Sequence, residues 1–248
     1  MKNKKIKRIT IISVSLILLG ALSVLCVQAN QNDFFKNWGM DVKKHSDNNK
    51  QINKYGDFKV AKKGIFSSEK TKLGNIEEIG KDVLVTDEQV SSAKDFYLNK
   101  GSDPKTASKD AIEYVKEENA LYALAIANGF NVTQKEVVDY VNELKQTYKE
   151  SENKEDMDKV ISAFKSEKEY WEYEYKVYKK LLPIQKYIKS LEDKYMQENQ
   201  NKYDEDKLSS MWEKKLENIK DNAVKKQHFK KVDKNTKIDD LKQFWNEK

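Results

Sequence analysis

From Thr86 onward, apolar residues return along the chain at steps of three and four. Val90, Ala93, Phe96 and Tyr97 mark one face. Ala107, Ala111, Tyr114, Val115, Leu121, Tyr122 and Ala125 mark a second, and Val138, Val141, Leu144 and Tyr148 a third. That spacing predicts three amphipathic helices, and their ends are punctuated. Thr86 with Gln89, and Thr133 with Glu136, form capping-box patterns, in which side chain and backbone satisfy each other's spare groups at a helix start. Val132 and Val137 flank the second box as a hydrophobic staple. Asp103 or Ser102 caps a helix that Pro104 opens, and Gly101 and Gly129 end the helices before them.

The stretch "EKEYWEYEYKVYKK", residues 167–180, alternates like a strand at Trp171, Tyr173, Tyr175 and Val177, but the alternation fails at Lys179. Helical spacing runs much further, through Tyr170, Tyr173, Val177, Leu181, Ile184, Ile188, Leu191 and Tyr195. A second stripe lies beside it: Met157, Ile161, Phe164, Trp171, Tyr175, Tyr178 and Leu182, with Lys168 interrupting. The pattern predicts one helix from about 154 to 199, roughly 70 Å long, with Pro183 as a kink or break. Two adjacent stripes are too broad for one neighbouring helix. Either two helices cover them, or part of the surface faces a groove and meets a partner. Leu208, Met211, Trp212, Leu216, Ile219 and Ala223 predict a further helix. A last one, capped by Thr236 and Asp239, carries Leu241, Phe244 and Trp245.

Eight Gly and two Pro are too few for many strand ends, so composition agrees with an all-α fold. The net charge of +6 changes meaning once it is located. Lys2, Lys4, Lys5, Lys7 and Arg8 supply five of the 47 cations, and residues 1–29 hold no acid. Past residue 29 the remaining lysines nearly balance the 41 acids, and no arginine follows Arg8. Nucleic-acid binding leans on arginine for bidentate contacts, so that class is set aside.

"MKNKKIKR" precedes "ITIISVSLILLGALSVLCV", an uncharged apolar run, which is the pattern of a secretory signal or membrane anchor. Val27-Gln28-Ala29 suits a cleavage site, whereas the length of the run suits a retained span. The expected place is the cell membrane, through a single N-terminal span with an extracytoplasmic domain; the alternative is secretion after cleavage near Ala29. Cys26 follows Leu25, not the small residue that a lipid-modified cysteine needs, and without a second Cys the fold has no intrachain disulfide. The expected organisation is a signal peptide or anchor over 1–29, a polar tether and irregular lead-in over 30–85, and a helical domain over 86–248. Within the lead-in, Gly56–Val85 has room for short strands or turns.

Catalytic chemistry finds little to use. His45 and His228 lie in lysine-rich surroundings, neither beside an acid or histidine at ligand spacing. The chain has no nucleophile elbow and no Gly-rich phosphate loop, and its acid pairs, as in "KEDMDK" and "YDEDK", read as solvated helix faces. No enzyme, metal or cofactor is expected.

Residues 85–144, from "VTDEQV" through "ALYALAIANGFNVTQKEV" to "YVNEL", resemble the N-terminal chaperone domain of the SurA and PrsA type of extracytoplasmic foldases. The likeness covers about a quarter of the chain and is carried by caps and small residues. It implies an ATP-free chaperone that binds unfolded or partly folded secreted polypeptides. Such foldases often carry a parvulin-type prolyl isomerase domain built on a Gly-rich sheet. Residues 145–248 are expected to be helical and have no glycine, which leaves no room for it. Trp171, Tyr175, Tyr178 and Trp212 are the expected client-binding residues, chosen for size and for their place on the broad apolar surface. The alternative is a membrane-tethered structural or adaptor protein, interacting through its long aromatic-rich helix and able to form a homodimer.

Overall fold

The computed structural model describes residues 31–48, 76–151, 153–233 and 236. Seven helices and one three-stranded antiparallel sheet make up these residues, so the chain is mostly helical. In order they are α1 (Gln31–Asn48), β1 (Ile76–Ile79), β2 (Leu84–Thr86), α2 (Asp87–Asn99), α3 (Pro104–Ala127), α4 (Gln134–Lys149), α5 (Lys154–Ile161), α6 (Glu167–Asn199), α7 (Glu205–Gln227) and β3 (Lys230–Lys231). The expected signal or anchor over 1–29 and the side chains of the last predicted helix, Leu241 to Trp245, lie outside the described residues. Among those described, no helix is long and apolar enough to cross a membrane.

The described residues fall into two compact units. The first takes 31–43 with 132–179, the second 44–131 with 180–233. In the second unit the sheet order is β2-β1-β3, with Ile79 paired to both Leu84 and Lys230. Gln227, the last residue of α7, serves the β1–β2 turn: its carbonyl accepts from the Lys81 N–H and its side-chain oxygen from the Asp82 N–H, both at 2.8 Å. His228 then turns the chain with a left-handed φ of 49° into β3. Beneath the sheet, Val85, Val90, Ala111 and Val115 form a core to which Tyr97, Ile112 and Phe229 add.

Four consecutive polar residues in the middle of α3 bind four different elements. Lys116 reaches Glu78 of β1 at 2.8 Å, Glu117 meets Lys220 of α7 at 3.3 Å, and Glu118 meets Lys180 of α6. Asn119, buried, donates to the Leu84 carbonyl of β2 at 2.7 Å. At about 100° per residue these four positions look outward in four directions, so α3 is enclosed by its unit. The caps form as the sequence predicts, with complete capping boxes at Thr86/Gln89 and Thr133/Glu136 and Asp103 as N-cap before Pro104. Gly101 and Gly129 take φ of 95° and 84° after their helices, which only glycine adopts without strain.

Four expectations change. The tether expected over 30–85 contains α1, whose Phe34, Phe35 and Trp38 are buried. Gly39 follows them because a Cβ there would stand 2.8 Å from the Val160 backbone of α5. The single helix predicted over 154–199 is two helices. Ser166 ends the gap between them: its hydroxyl accepts from the Glu169 N–H and its carbonyl from the Tyr170 N–H, both at 3.2 Å, which is how a helix begins. Pro183, by contrast, sits inside α6 without ending it, fully buried, although it supplies no N–H to the Lys179 carbonyl. On α4 the buried line is Val137, Val141 and Tyr148, while Val138 is exposed. The helical reading of 145–248 also misses β3, two exposed lysines added to the far edge of β1.

Candidate functional site

The first half of α6 gathers the densest set of aromatic rings in the first unit. Ser166 fixes where the helix starts, and the next residues follow in register. Tyr170 and Tyr178, at i and i+8, face inward on one line, with Glu174 between them on the same line. All three are buried, at 1%, 1% and 2% exposure. Phe164, in the turn before α6, meets the Tyr170 ring edge-on at 5.3 Å, and Tyr140 of α4 lies 4.8 Å from Tyr178. Trp171 packs against Tyr148 of α4 at 5.9 Å and donates its indole N–H to Glu167 at 2.9 Å. Lys145 stands over the Trp171 ring at 5.6 Å.

Glu174 is the unusual member. Burial pushes its carboxyl up to about 7, and a hydrogen bond from the Tyr170 hydroxyl works against that rise. Burial, together with the Glu174 charge, holds the Tyr170 phenol well above its ordinary range. Near neutral pH this is therefore a carboxyl poised between its two forms inside a shell of rings. It can hold or release a proton.

Of the expected client-binding residues, Trp171, Tyr175 and Tyr178 lie in the first unit and Trp212 in the second. Trp171, Tyr178 and Trp212 are buried in packing of their own units; Trp212 lies tilted against Tyr195, ring centroids 5.7 Å apart. Tyr175 is half-exposed, its ring covered on one side by Lys179 at 4.9 Å. Tyr175 is thus the one of the four whose ring reaches the surface.

Two polar features escape apolar-pattern reading. Glu174 and Asn119 each stand where a buried line expects an apolar residue, and that interruption was their available signal. His45 is paired with Asp95 of α2 at 2.9 Å, and Lys44 adds a contact to the same carboxylate at 3.6 Å. The partners are 50 residues apart, a pairing that local spacing does not reveal. Among the described residues no three His, Cys, Asp or Glu side chains come together to hold a metal ion. No family model, curated protein or solved structure matches this chain.

Proposed function

We propose that this chain is a membrane-tethered extracytoplasmic holding protein, which binds unfolded or partly folded secreted polypeptides without ATP. The observation that carries the reading is the resemblance of residues 85–144 to the SurA and PrsA N-terminal chaperone domain, whose helix starts here are working caps at Thr86, Asp103 and Thr133. Holding requires apolar groups that a client can reach. In the first unit Met40 and Val138 are 49% and 39% exposed, and Tyr175 is among the half-buried rings. Burying such groups against a client yields about 25 cal/mol per Å², less the cost of ordering, so contacts stay weak and reversible. Among the described residues most of the other exposed side chains are charged or polar, which limits nonspecific adhesion.

The test is aggregation of a chemically denatured protein on dilution, with this chain in molar excess. The expected result is slowed aggregation that weakens in Tyr175→Glu. No slowing at any excess overturns the proposal. A stable dimer in sedimentation, dissolved by Tyr175→Glu, would favour the adaptor reading instead.

A further inference from the structure

We propose that the first unit is a proton-gated module: Glu174, sealed among aromatic rings, keeps the unit closed while neutral and favours its opening once ionised. This goes beyond the holding function and does not depend on it.

The geometry comes first. Glu174 is 2% exposed, and Tyr170, which hydrogen-bonds it from one turn earlier on the same helix, is 1% exposed. A buried carboxylate needs a cation or several donors to offset lost hydration. Among the described residues the Tyr170 hydroxyl is the partner this carboxyl has. The charged groups of the packed elements are engaged elsewhere. From α1, Lys43 pairs with Glu169 at 3.4 Å, and from α4, Lys145 stands over Trp171. From α5, Lys159 binds Asp156, while Asp158 takes the Tyr148 hydroxyl and Lys154. On α6 itself, Glu167 accepts from Trp171, and the remaining titratable neighbours are the phenols of Tyr173 and Tyr178. Tyr140 of α4 faces Tyr178.

The sign follows from linkage. Burial moves the carboxyl from an ordinary 4.5 to about 7 in the closed unit, so the closed form binds the proton more tightly than an opened, hydrated form. Closure is favoured most below pH 4.5. That advantage is lost as pH rises, completely once it passes about 7. If opening fully hydrates Glu174, the open population grows about 30-fold between pH 5.5 and 8.5 and levels off above neutrality.

Hydrogen–deuterium exchange on the full chain, corrected for intrinsic base catalysis, reads this directly. Amides of α4 and of residues 167–179 should show the rise and its plateau. Glu174→Gln, neutral at every pH, should give a flat profile. Tyr170→Phe removes the bond that favours the ionised carboxyl, so its plateau should begin at higher pH. A flat profile in the parent chain overturns the proposal, and so does a rise that persists in Glu174→Gln. A plateau unmoved in Tyr170→Phe overturns it as well.

Discussion

Asn119 stands four residues after Val115 and eight after Ala111, on a line of α3 that is otherwise apolar and buried. Its amide does several jobs: it donates to the Leu84 carbonyl and exchanges contacts with Gln89, and its oxygen takes the Lys180 ammonium. Replacing it with alanine leaves a buried carbonyl and a half-buried ammonium short of partners. A lost buried partner costs about 1–3 kcal/mol, more when the group left behind is charged. Asn119→Ala should therefore lower the unfolding free energy by that amount, seen as a lower urea midpoint at unchanged slope, whereas Asn128→Ala, an exposed bond to the Leu124 carbonyl, should cost far less. Comparing the two midpoints separates burial from the mere count of hydrogen bonds. Lys116, Glu117 and Glu118 show the same economy, each side chain tied to its own neighbouring element.

Local sequence chemistry fixed the starts of α2, α3 and α4, because capping is decided within four residues. It failed where the deciding partner is distant. Phe34, Phe35 and Trp38 were legible as apolar residues, but polar Asn, Lys and Asp around them gave a composition that reads as tether. What makes α1 a helix in the fold is burial of those rings and the close approach of Gly39 to α5. The break before α6 was present in the sequence as Ser166, followed three residues later by Glu169. Two long apolar stripes spoke louder, although Lys168 already interrupted one of them. The cap now makes a prediction. Ser166→Ala removes the acceptor for the Glu169 N–H and should cost about 1 kcal/mol of stability in denaturant unfolding, with Ser166→Asp retaining most of it.

At the scale of the molecule, each unit is assembled from segments far apart in sequence, and both α1 and α6 contribute residues to each. Periodicity describes a helix face without naming what covers it, so this division could not be read from the stripes. Their breadth was nonetheless informative. In the first unit Tyr178 and Trp171 of the second stripe meet α4, while Tyr170 of the first packs against Phe164, which belongs to the second stripe itself. The two histidines of the chain also find structural places. His45 is held by Asp95, and His228 forms the left-handed turn that ends α7. Prolyl isomerisation faces a barrier of roughly 18–20 kcal/mol, and lowering it takes a shaped apolar pocket with placed polar groups. A proline peptide mixed with this chain should interconvert at its uncatalysed rate. Acceleration that disappears in His228→Ala would contradict that expectation.

Gly101 and Gly129 share a property that Gly39 lacks: a Cβ built on either meets nothing within 4 Å. These two turns thus select for handedness and not for room. An ordinary alanine would be strained there by about 1–2 kcal/mol. Its mirror image would fit the positive φ and narrow the unfolded chain's freedom, for a gain of about 0.4–1 kcal/mol at each site. In a chain assembled by ligation, D-alanine at 101 or 129 should raise the melting temperature where L-alanine lowers it. The two turns are places where the protein could accept the opposite chirality and become more stable for it.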